Sequence, residues 1–130
     1  HRSPPMVLSH KINLWAQAWA EKIAARDIMY HRPNNPYGEN LYVFVSSPAA
    51  KGPKPIAVVS AWYNEIKYYN FRKGGFSGAT GHFTQVVWKA SIKLGCGWAR
   101  SCRDKIYVVC NYSPPGNYRK KFKKNVLRAK

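Results

Sequence analysis

The most informative stretch of the chain runs Leu94-Gly-Cys-Gly-Trp-Ala-Arg-Ser-Cys-Arg-Asp-Lys-Ile-Tyr-Val-Val-Cys-Asn-Tyr112. Residues 94–100 are largely apolar, residues 105–112 are rich in aromatic and β-branched side chains, and a polar turn centred near residue 103 separates the two segments. This pattern predicts an antiparallel β-hairpin. The same register puts Cys96 opposite Cys110, at a distance that a disulfide can bridge.

The sequence contains three cysteines, and the third is Cys102. An odd number leaves two alternatives open, which are one disulfide with a free thiol, or a bridge whose second cysteine has been lost. No two of the cysteines have CxxC spacing, which argues against a structural zinc finger.

Two segments before the hairpin are predicted to be helices. From Ile12 to Met29 apolar residues recur at helical spacing, and Ser9 is a suitable N-cap. A second helix is predicted over about Ile56 to Tyr68. Between them, Leu41 to Val45 is short and rich in aromatic and β-branched residues, which predicts a buried strand.

Three segments are less regular. Ser46 to Pro55 contains three prolines and one glycine and is predicted to be a mobile linker. Residues 70–81 contain four glycines and cannot stay regular for long. His82 to Trp88 suits either a short helix or a strand.

Length and composition bound the possible functions. A chain of 130 residues fits one domain, and 45% hydrophobic residues argue against a disordered basic protein. No apolar run approaches the roughly 18 residues needed to span a bilayer. The net charge of +17 favours anionic lipid surfaces, sulfated glycans or nucleic acid as partners, although it also suits a basic surface without a partner. The hypothesis of nucleic-acid binding rests on charge alone, so nucleic acid is not an expected partner.

Two histidines and two carboxylates are candidates for chemistry. His31 and His82 lie in loops, and Glu39 and Glu65 are two of only five acidic residues. If they converge, the imidazoles suit a divalent metal, with a carboxylate as a ligand or as a hydrogen-bond partner of a ligand. The same set suits general acid–base work. The alternative is that the histidines bond the backbone and the carboxylates pair with Lys or Arg.

Five motifs occur in an order that resembles one family, the CAP superfamily of cysteine-rich secretory proteins, antigen 5 and plant pathogenesis-related proteins. They are Gly38-Glu-Asn-Leu41, Ala61-Trp-Tyr-Asn-Glu65, Gly81-His-Phe-Thr-Gln-Val-Val-Trp88, Gly95-Cys-Gly97 and Cys110-Asn-Tyr-Ser-Pro-Pro-Gly-Asn-Tyr118. The resemblance implies an α+β fold, a three-layer α/β/α sandwich with a central antiparallel sheet. It also implies a CAP domain over residues 1–118, with a basic tail over 119–130.

For function, the resemblance implies a secreted protein without enzymatic activity. It places His31, Glu39, Glu65 and His82 in a cleft tetrad that holds zinc or another divalent cation in some members, with His31 and His82 as the metal ligands here. The tetrad has no obvious nucleophile, so a metal-dependent hydrolase is a minor alternative.

The sequence departs from the family in three ways. The family's first helix, which normally precedes the segment matching residues 1–5, is absent, so a trimmed or divergent form is expected. The chain also opens at His1 without an initiator Met, which leaves two alternatives, a removed targeting segment or a trimmed N-terminus. In plant members the cysteine equivalent to Cys102 forms a disulfide with a second cysteine, at the position that Asp27 occupies here. That partner is missing from this chain, so Cys102 is expected to be a free thiol or to form an intermolecular disulfide. A third plant-type bridge, in the glycine-rich loop, has no cysteines here.

Two binding functions follow. Several family members bind sterols or fatty acids, and here an aromatic set under the linker Ser46 to Pro55 is the predicted slot for a sterol or fatty-acyl lipid. Its members are Trp62, Tyr63, Tyr68, Tyr69 and Phe71; the competing interpretation is that these aromatics are core residues. The alternative function is attachment to anionic membranes or glycans through the basic tail. Its cations are Arg119, Lys120, Lys121, Lys123 and Lys124.

Overall fold

The structure is a computed structural model, and it describes residues 1–47 and 52–130. Its strands are β1 (Val7–Leu8), β2 (Gly38–Val45), β3 (Lys93–Arg100) and β4 (Lys105–Ser113). Its helices are α1 (His10–Arg26), α2 (Pro55–Tyr63), a 3₁₀ helix (Asn64–Tyr68), α3 (Gly81–Val86) and α4 (Phe122–Asn125). No helix in the described ranges is long and apolar enough to cross a membrane.

The four strands form one sheet in the order β1-β3-β4-β2. The hairpin β3–β4 has the predicted register, because Cys96 lies opposite Cys110 and the two form a disulfide. Strand β2 pairs antiparallel with β4. The expected central antiparallel sheet is confirmed for β2, β4 and β3. The two-residue strand β1 adds a parallel pairing with β3 at the edge, so the whole sheet is mixed.

The three-layer arrangement is confirmed, with helices on both faces of the sheet. On one face, Ala16, Trp19 and Ile23 of α1 pack on Leu41, Tyr107 and Val109. On the other face, Val58 and Trp62 of α2 pack on Ile106, Val108 and Cys110. The side chains of β4 therefore alternate between two buried faces, which explains why residues 106–110 are all apolar.

Helix α1 lies so close to β3 that the strand needs glycine. A Cβ atom at Gly97 would lie 2.5 Å from Cα of Gln17. The helix starts at the predicted N-cap, because the Ser9 hydroxyl accepts a hydrogen bond from the Ile12 N–H at 3.3 Å. It ends at Arg26, three residues before Met29, where the sequence predicts its end. Asp27 adopts the left-handed conformation with φ 55° and stops the helix.

The second predicted helix contains two elements, because α2 changes into the 3₁₀ helix at Asn64. The ambiguous segment His82 to Trp88 is helical over its first part, as α3. Within residues 119–130, Phe122 and Val126 are buried, and the Phe122 ring meets Trp88 edge-to-face with 5.0 Å between ring centres. The division of the chain at residue 118 stays a prediction, but these two apolar side chains hold the basic segment against the domain.

Candidate functional site

Glu65 and His82 form the first half of the site. Glu65 lies in the 3₁₀ helix, and its Oε1 accepts hydrogen bonds from the backbone N–H groups of His82 and Phe83, both at 3.0 Å. Its Oε2 lies 2.8 Å from Nδ1 of His82. The carboxylate thus satisfies first-turn N–H groups of α3 that have no partner within the helix. Because Nδ1 is engaged, Nε2 is the ring nitrogen that His82 offers to a ligand.

His31 and Glu39 form the second half. Nδ1 of His31 lies 2.9 Å from Oε1 of Glu39, which also accepts from the Arg32 N–H at 3.0 Å. Oε2 of Glu39 accepts from the side-chain amides of Asn35 at 2.9 Å and Asn111 at 3.1 Å. The Glu39 side chain is only 5% exposed, and a buried carboxylate needs such donors. The hydrogen bond to Glu39 raises the pKa of His31, against the opposing effect of burial.

A cavity of about 330 Å³ brings His31, Glu39 and His82 together. Glu65 does not line it but orients His82 from behind. Each imidazole is held at Nδ1 by a carboxylate, an arrangement typical of metal-binding histidines whose other nitrogen is the ligand. Within the described ranges, no group of three or more His, Cys, Asp or Glu side chains is placed to hold a metal. The cleft therefore offers the two Nε2 atoms as protein ligands, fewer than the three or four usual for zinc, and metal binding stays a prediction.

Asparagines support this cleft, and the sequence reasoning missed them. Asn40 is buried in β2 and donates to the His82 carbonyl at 3.1 Å and to the Tyr112 hydroxyl at 3.2 Å. Asn117 also lines the cavity, and its side chain accepts a hydrogen bond from the Thr84 hydroxyl at 2.6 Å. The position of Asn40 directly before the apolar run 41–45 was the available signal in the sequence, since buried polar groups need hydrogen-bond partners.

The five aromatic residues predicted to bind lipid lie in different places. Trp62 is buried and donates from Nε1 to the Leu41 carbonyl at 3.1 Å. Tyr63, Tyr69 and Phe71 surround the ring of Phe83. Tyr68 is 65% exposed. Of the five, only Trp62 lines the apolar cavity described next, so the set does not form one slot, and its role in lipid binding stays a prediction.

A separate apolar cavity of about 160 Å³ lies between α2 and the hairpin. Its lining residues are Pro53, Pro55, Val58, Val59, Trp62, Cys96, Gly97, Trp98, Val108 and Cys110. Alternation along β3 and β4 puts Cys96, Trp98, Val108 and Cys110 on the α2 face, a signal that was available in the sequence. Of the linker predicted to cover the lipid, residues 48–51 lie outside the described ranges. Gly52 lies against Trp98, because a Cβ there would be 2.6 Å from Cζ2 of the indole.

The five residues predicted to bind an anionic surface all have exposed side chains, whereas Phe122, the one apolar residue among them, is buried. The five are Arg119, Lys120, Lys121, Lys123 and Lys124. In the part of the chain that the structure describes, none of the five forms a salt bridge with a carboxylate. The segment therefore presents its cations outward from a fixed position.

Cys102 is a free, exposed thiol at the turn of the hairpin. Asp27 connects the end of α1 to this hairpin without a covalent bond: it accepts a hydrogen bond from the Tyr107 hydroxyl at 2.7 Å and lies 3.7 Å from Nε of Arg103. The Tyr107 hydrogen bond lowers the pKa of Asp27. Burial, with help from Asp27, raises the pKa of Tyr107 to about 12.

Comparison with known proteins identifies the family. Residues 1–112 match the family described as "CAP: Cysteine-rich secretory protein family". The human Golgi-associated plant pathogenesis-related protein 1 is 38% identical over all of this chain and 84% of its own length. Protein PRY2 of Saccharomyces cerevisiae is 38% identical over 92% of this chain, which spans only 34% of that protein.

A solved structure has the same fold. The crystal structure of NaASP2 with Zn2+ is 28% identical, with a TM-score of 0.65, and the match covers 87% of this chain and 62% of that one. The fold, the ordered motifs and the family match over most of the sequence agree, and the chain belongs to the CAP family.

Proposed function

We propose that this protein binds a sterol or fatty-acyl lipid in the apolar cavity between α2 and the hairpin. The observation that carries the proposal is the lining of that cavity, in which aliphatic side chains, prolines, a disulfide and the two indoles of Trp62 and Trp98 meet. Such a lining favours aliphatic or fused-ring ligands, with polar groups left at the opening. We do not assign an enzymatic activity, because the tetrad offers no nucleophile.

The size of the cavity bears on the ligand. Its volume of about 160 Å³ is below the roughly 300–1,000 Å³ of typical small-molecule sites. A lipid would therefore place one part, such as a stretch of acyl chain or one edge of a sterol, inside the cavity. The rest would lie at the opening beside Pro53 and Trp98.

A pair of substitutions on α2 tests the proposal. Val59 lines the cavity and is 44% exposed, whereas Ile56 is 83% exposed on the same helix and does not line it. Val59→Trp should fill the opening and weaken binding of radiolabelled palmitate or cholesterol at least about tenfold, whereas Ile56→Trp should leave it unchanged. Equal lipid binding by the two variants would show that the lipid does not bind in this cavity.

We also propose that His31 and His82 bind a divalent cation, through the Nε2 atoms that their carboxylate partners leave available. The Zn2+ of the NaASP2 crystal structure supports this choice of ion. Calorimetric titration with zinc should give one site, which both His31→Ala and His82→Ala remove. Unchanged zinc affinity in His82→Ala would exclude it as a ligand.

A second candidate function is attachment to anionic membranes through the exposed cations of residues 119–124. The buried Phe122 and Val126 favour it, because they fix the segment so that its charges project together. Neutralising Lys120, Lys121, Lys123 and Lys124 to Gln should abolish co-sedimentation with phosphatidylserine vesicles at low salt, since each charge contributes on the order of 1 kcal/mol. Neutralising Lys11, Lys22, Lys89 and Lys93 changes the net charge equally and should have a smaller effect.

Secretion is likewise a proposal. The family is described as secretory, whereas the human relative is named as Golgi-associated. The Cys96–Cys110 disulfide supports an oxidising compartment, because structural disulfides persist there and are rare in the cytosol.

A further inference from the structure

Strand β2 is an edge of the sheet, because its partner is β4 and it ends the strand order. The N–H of Ser46 donates to the carbonyl of Asp104, at the β4 side, at 2.8 Å. Since main-chain groups alternate in direction along an antiparallel strand, those of Val43 and Val45 point away from the sheet. No hydrogen bond within residues 1–47 and 52–130 uses these outward groups. Nearer the start of β2 the edge is covered, because the Leu41 carbonyl accepts from Trp62.

Two cavities flank this open edge, one on each face of the sheet. On the α1 face a cavity of about 280 Å³ is lined by Asp27, Met29, Val43, Phe44, Val45, Lys105 and Tyr107. On the α2 face a cavity of about 310 Å³ is lined by Tyr42, Phe44, Ser46, Gly52, Lys54, Ala57 and Val58. Successive side chains of a strand point to opposite faces. A strand added to the edge would therefore direct alternate side chains into the two cavities.

Each of the two cavities offers a lysine, Lys105 on one face and Lys54 on the other. Among the described residues that line either cavity, Asp27 is the one carboxylate. It accepts a hydrogen bond from Tyr107, lies near Arg103 and interacts electrostatically with Lys105. The remaining lining is largely apolar. The edge therefore suits acidic and aliphatic side chains on both faces of an incoming strand.

We propose that the edge of β2 at Val43–Val45 is a docking site for an extended acidic segment of a partner protein, which pairs with the strand through its main chain. Main-chain hydrogen bonds to an open edge give affinity in this mode of recognition, and flanking pockets for alternate side chains give specificity. A second copy of this chain fits less well, because each copy carries a net charge of +17 and its own lysines would face those of its partner.

The probe is the peptide Glu-Val-Val-Glu-Glu-Val-Val-Glu with both termini blocked. As an extended strand, this peptide presents glutamate and valine on each of its two faces. Hydrogen exchange followed by NMR should show the amides of Val43 and Val45 exchanging fast in the free protein and at least about tenfold more slowly with the peptide. The Phe44 amide, which points to β4, should be protected in both states. A peptide with lysine in place of glutamate, and one with proline in place of the third and sixth residues, should give no protection.

Charge reversal supplies the matched control. Lys54→Glu with Lys105→Glu should weaken peptide binding about tenfold or more, whereas Lys89→Glu with Lys93→Glu, which changes the net charge equally at exposed positions away from the edge, should weaken it less than threefold. Protected Val43 and Val45 amides in the free protein would overturn the proposal, because the edge would already be covered. Equal losses in the two double variants, or protection that depends on protein concentration alone, would also overturn it.

Discussion

Glu65 holds His82 at two points, through the Nδ1 atom of the imidazole at 2.8 Å and through the backbone N–H at 3.0 Å. The same carboxylate therefore fixes both the ring and the start of the helix that carries it. The indole of Trp62 stacks on the ring, with 6.1 Å between ring centres and an angle of 22° between planes. The position of the His82 ring in the cleft is thus set by Glu65 and Trp62, neither of which lines that cleft.

Substitution of Glu65 by Gln should lower the free energy of unfolding by about 1–2 kcal/mol, because it removes the charge that strengthens three hydrogen bonds. Urea denaturation at neutral pH measures the change. Glu21→Gln is the matched control, since Glu21 lies on the exposed surface of α1, with one weak side-chain contact to Gln17 at 3.4 Å, and should cost under about 0.5 kcal/mol. Equal losses for the two variants would show that Glu65 does not cap α3.

The contact between Asp27 and Tyr107 should make stability depend on pH. Because the pKa of Asp27 is lowered in the folded state, its contribution is present above the ordinary carboxyl pKa and is lost as the pH falls through the lowered value. Asp27→Asn should therefore be less stable than the natural protein at pH 7, and the two should converge in acid. Asparagine also tolerates the left-handed conformation of this residue, so the substitution tests the charge of Asp27 without straining the backbone. A difference that stays constant down to pH 2 would contradict this account.

The phenol of Tyr107 gives a spectroscopic check on the same contact. Its absorbance near 295 nm should change only as the pH reaches about 12, and the midpoint should fall in Asp27→Asn, because the carboxylate opposes formation of a phenolate beside it. Tyr107→Phe identifies the signal by removing it. If Tyr107 titrates near the ordinary tyrosine pKa in the folded protein, the phenol is not buried as described.

The structure predicts the bonding state of all three cysteines. Native protein should react with one equivalent of a thiol reagent, at Cys102, because Cys96 and Cys110 are bridged. Replacing both Cys96 and Cys110 by Ala should lower stability by roughly 3 kcal/mol in the loop-entropy model. Peptide mapping without reduction that found Cys96 linked to Cys102 would contradict the hairpin register.

Phe122 tests how the basic segment is attached. Its side chain is 3% exposed and packs on Trp88, so Phe122→Ala should cost about 3–5 kcal/mol. Lys123→Ala, next to it and exposed, should cost under about 0.5 kcal/mol. A negligible loss in Phe122→Ala, measured by thermal or urea unfolding, would mean that the segment is not part of the folded core.

The hairpin and α1 could be predicted because their signals are local. Strand alternation, the turn near residue 103 and the cap at Ser9 each lie within a short stretch of sequence. The parallel strand β1 could not be predicted, since two exposed residues, Val7 and Leu8, carry no pattern of their own. Backbone hydrogen bonds hold this strand, from the Val7 N–H to the carbonyl of residue 92 and from the following Ser9 N–H to the carbonyl of residue 94. The burial of Phe122 also depends on a distant partner, Trp88, which no spacing rule connects to it.

For the candidate site, the sequence predicted the residues better than their roles. His31, Glu39 and His82 do meet in one cavity, but Glu65 acts behind His82 rather than in the lining. Three of the five aromatic residues predicted to bind lipid, Tyr63, Tyr69 and Phe71, surround Phe83 instead. Trp62 alone lines the apolar cavity, and Tyr68 is exposed. The apolar cavity depends on Val58 and Trp98 approaching from separate elements, a contact that periodicity does not encode.

Native mass spectrometry after incubation with equimolar palmitate and cholesterol tests the central claim most directly. We expect one lipid bound per chain in the natural protein and in Ile56→Trp, and none in Val59→Trp, because only the last substitution fills the cavity. A protein mass without lipid, or a bound lipid that Val59→Trp retains, would contradict lipid binding between α2 and the hairpin.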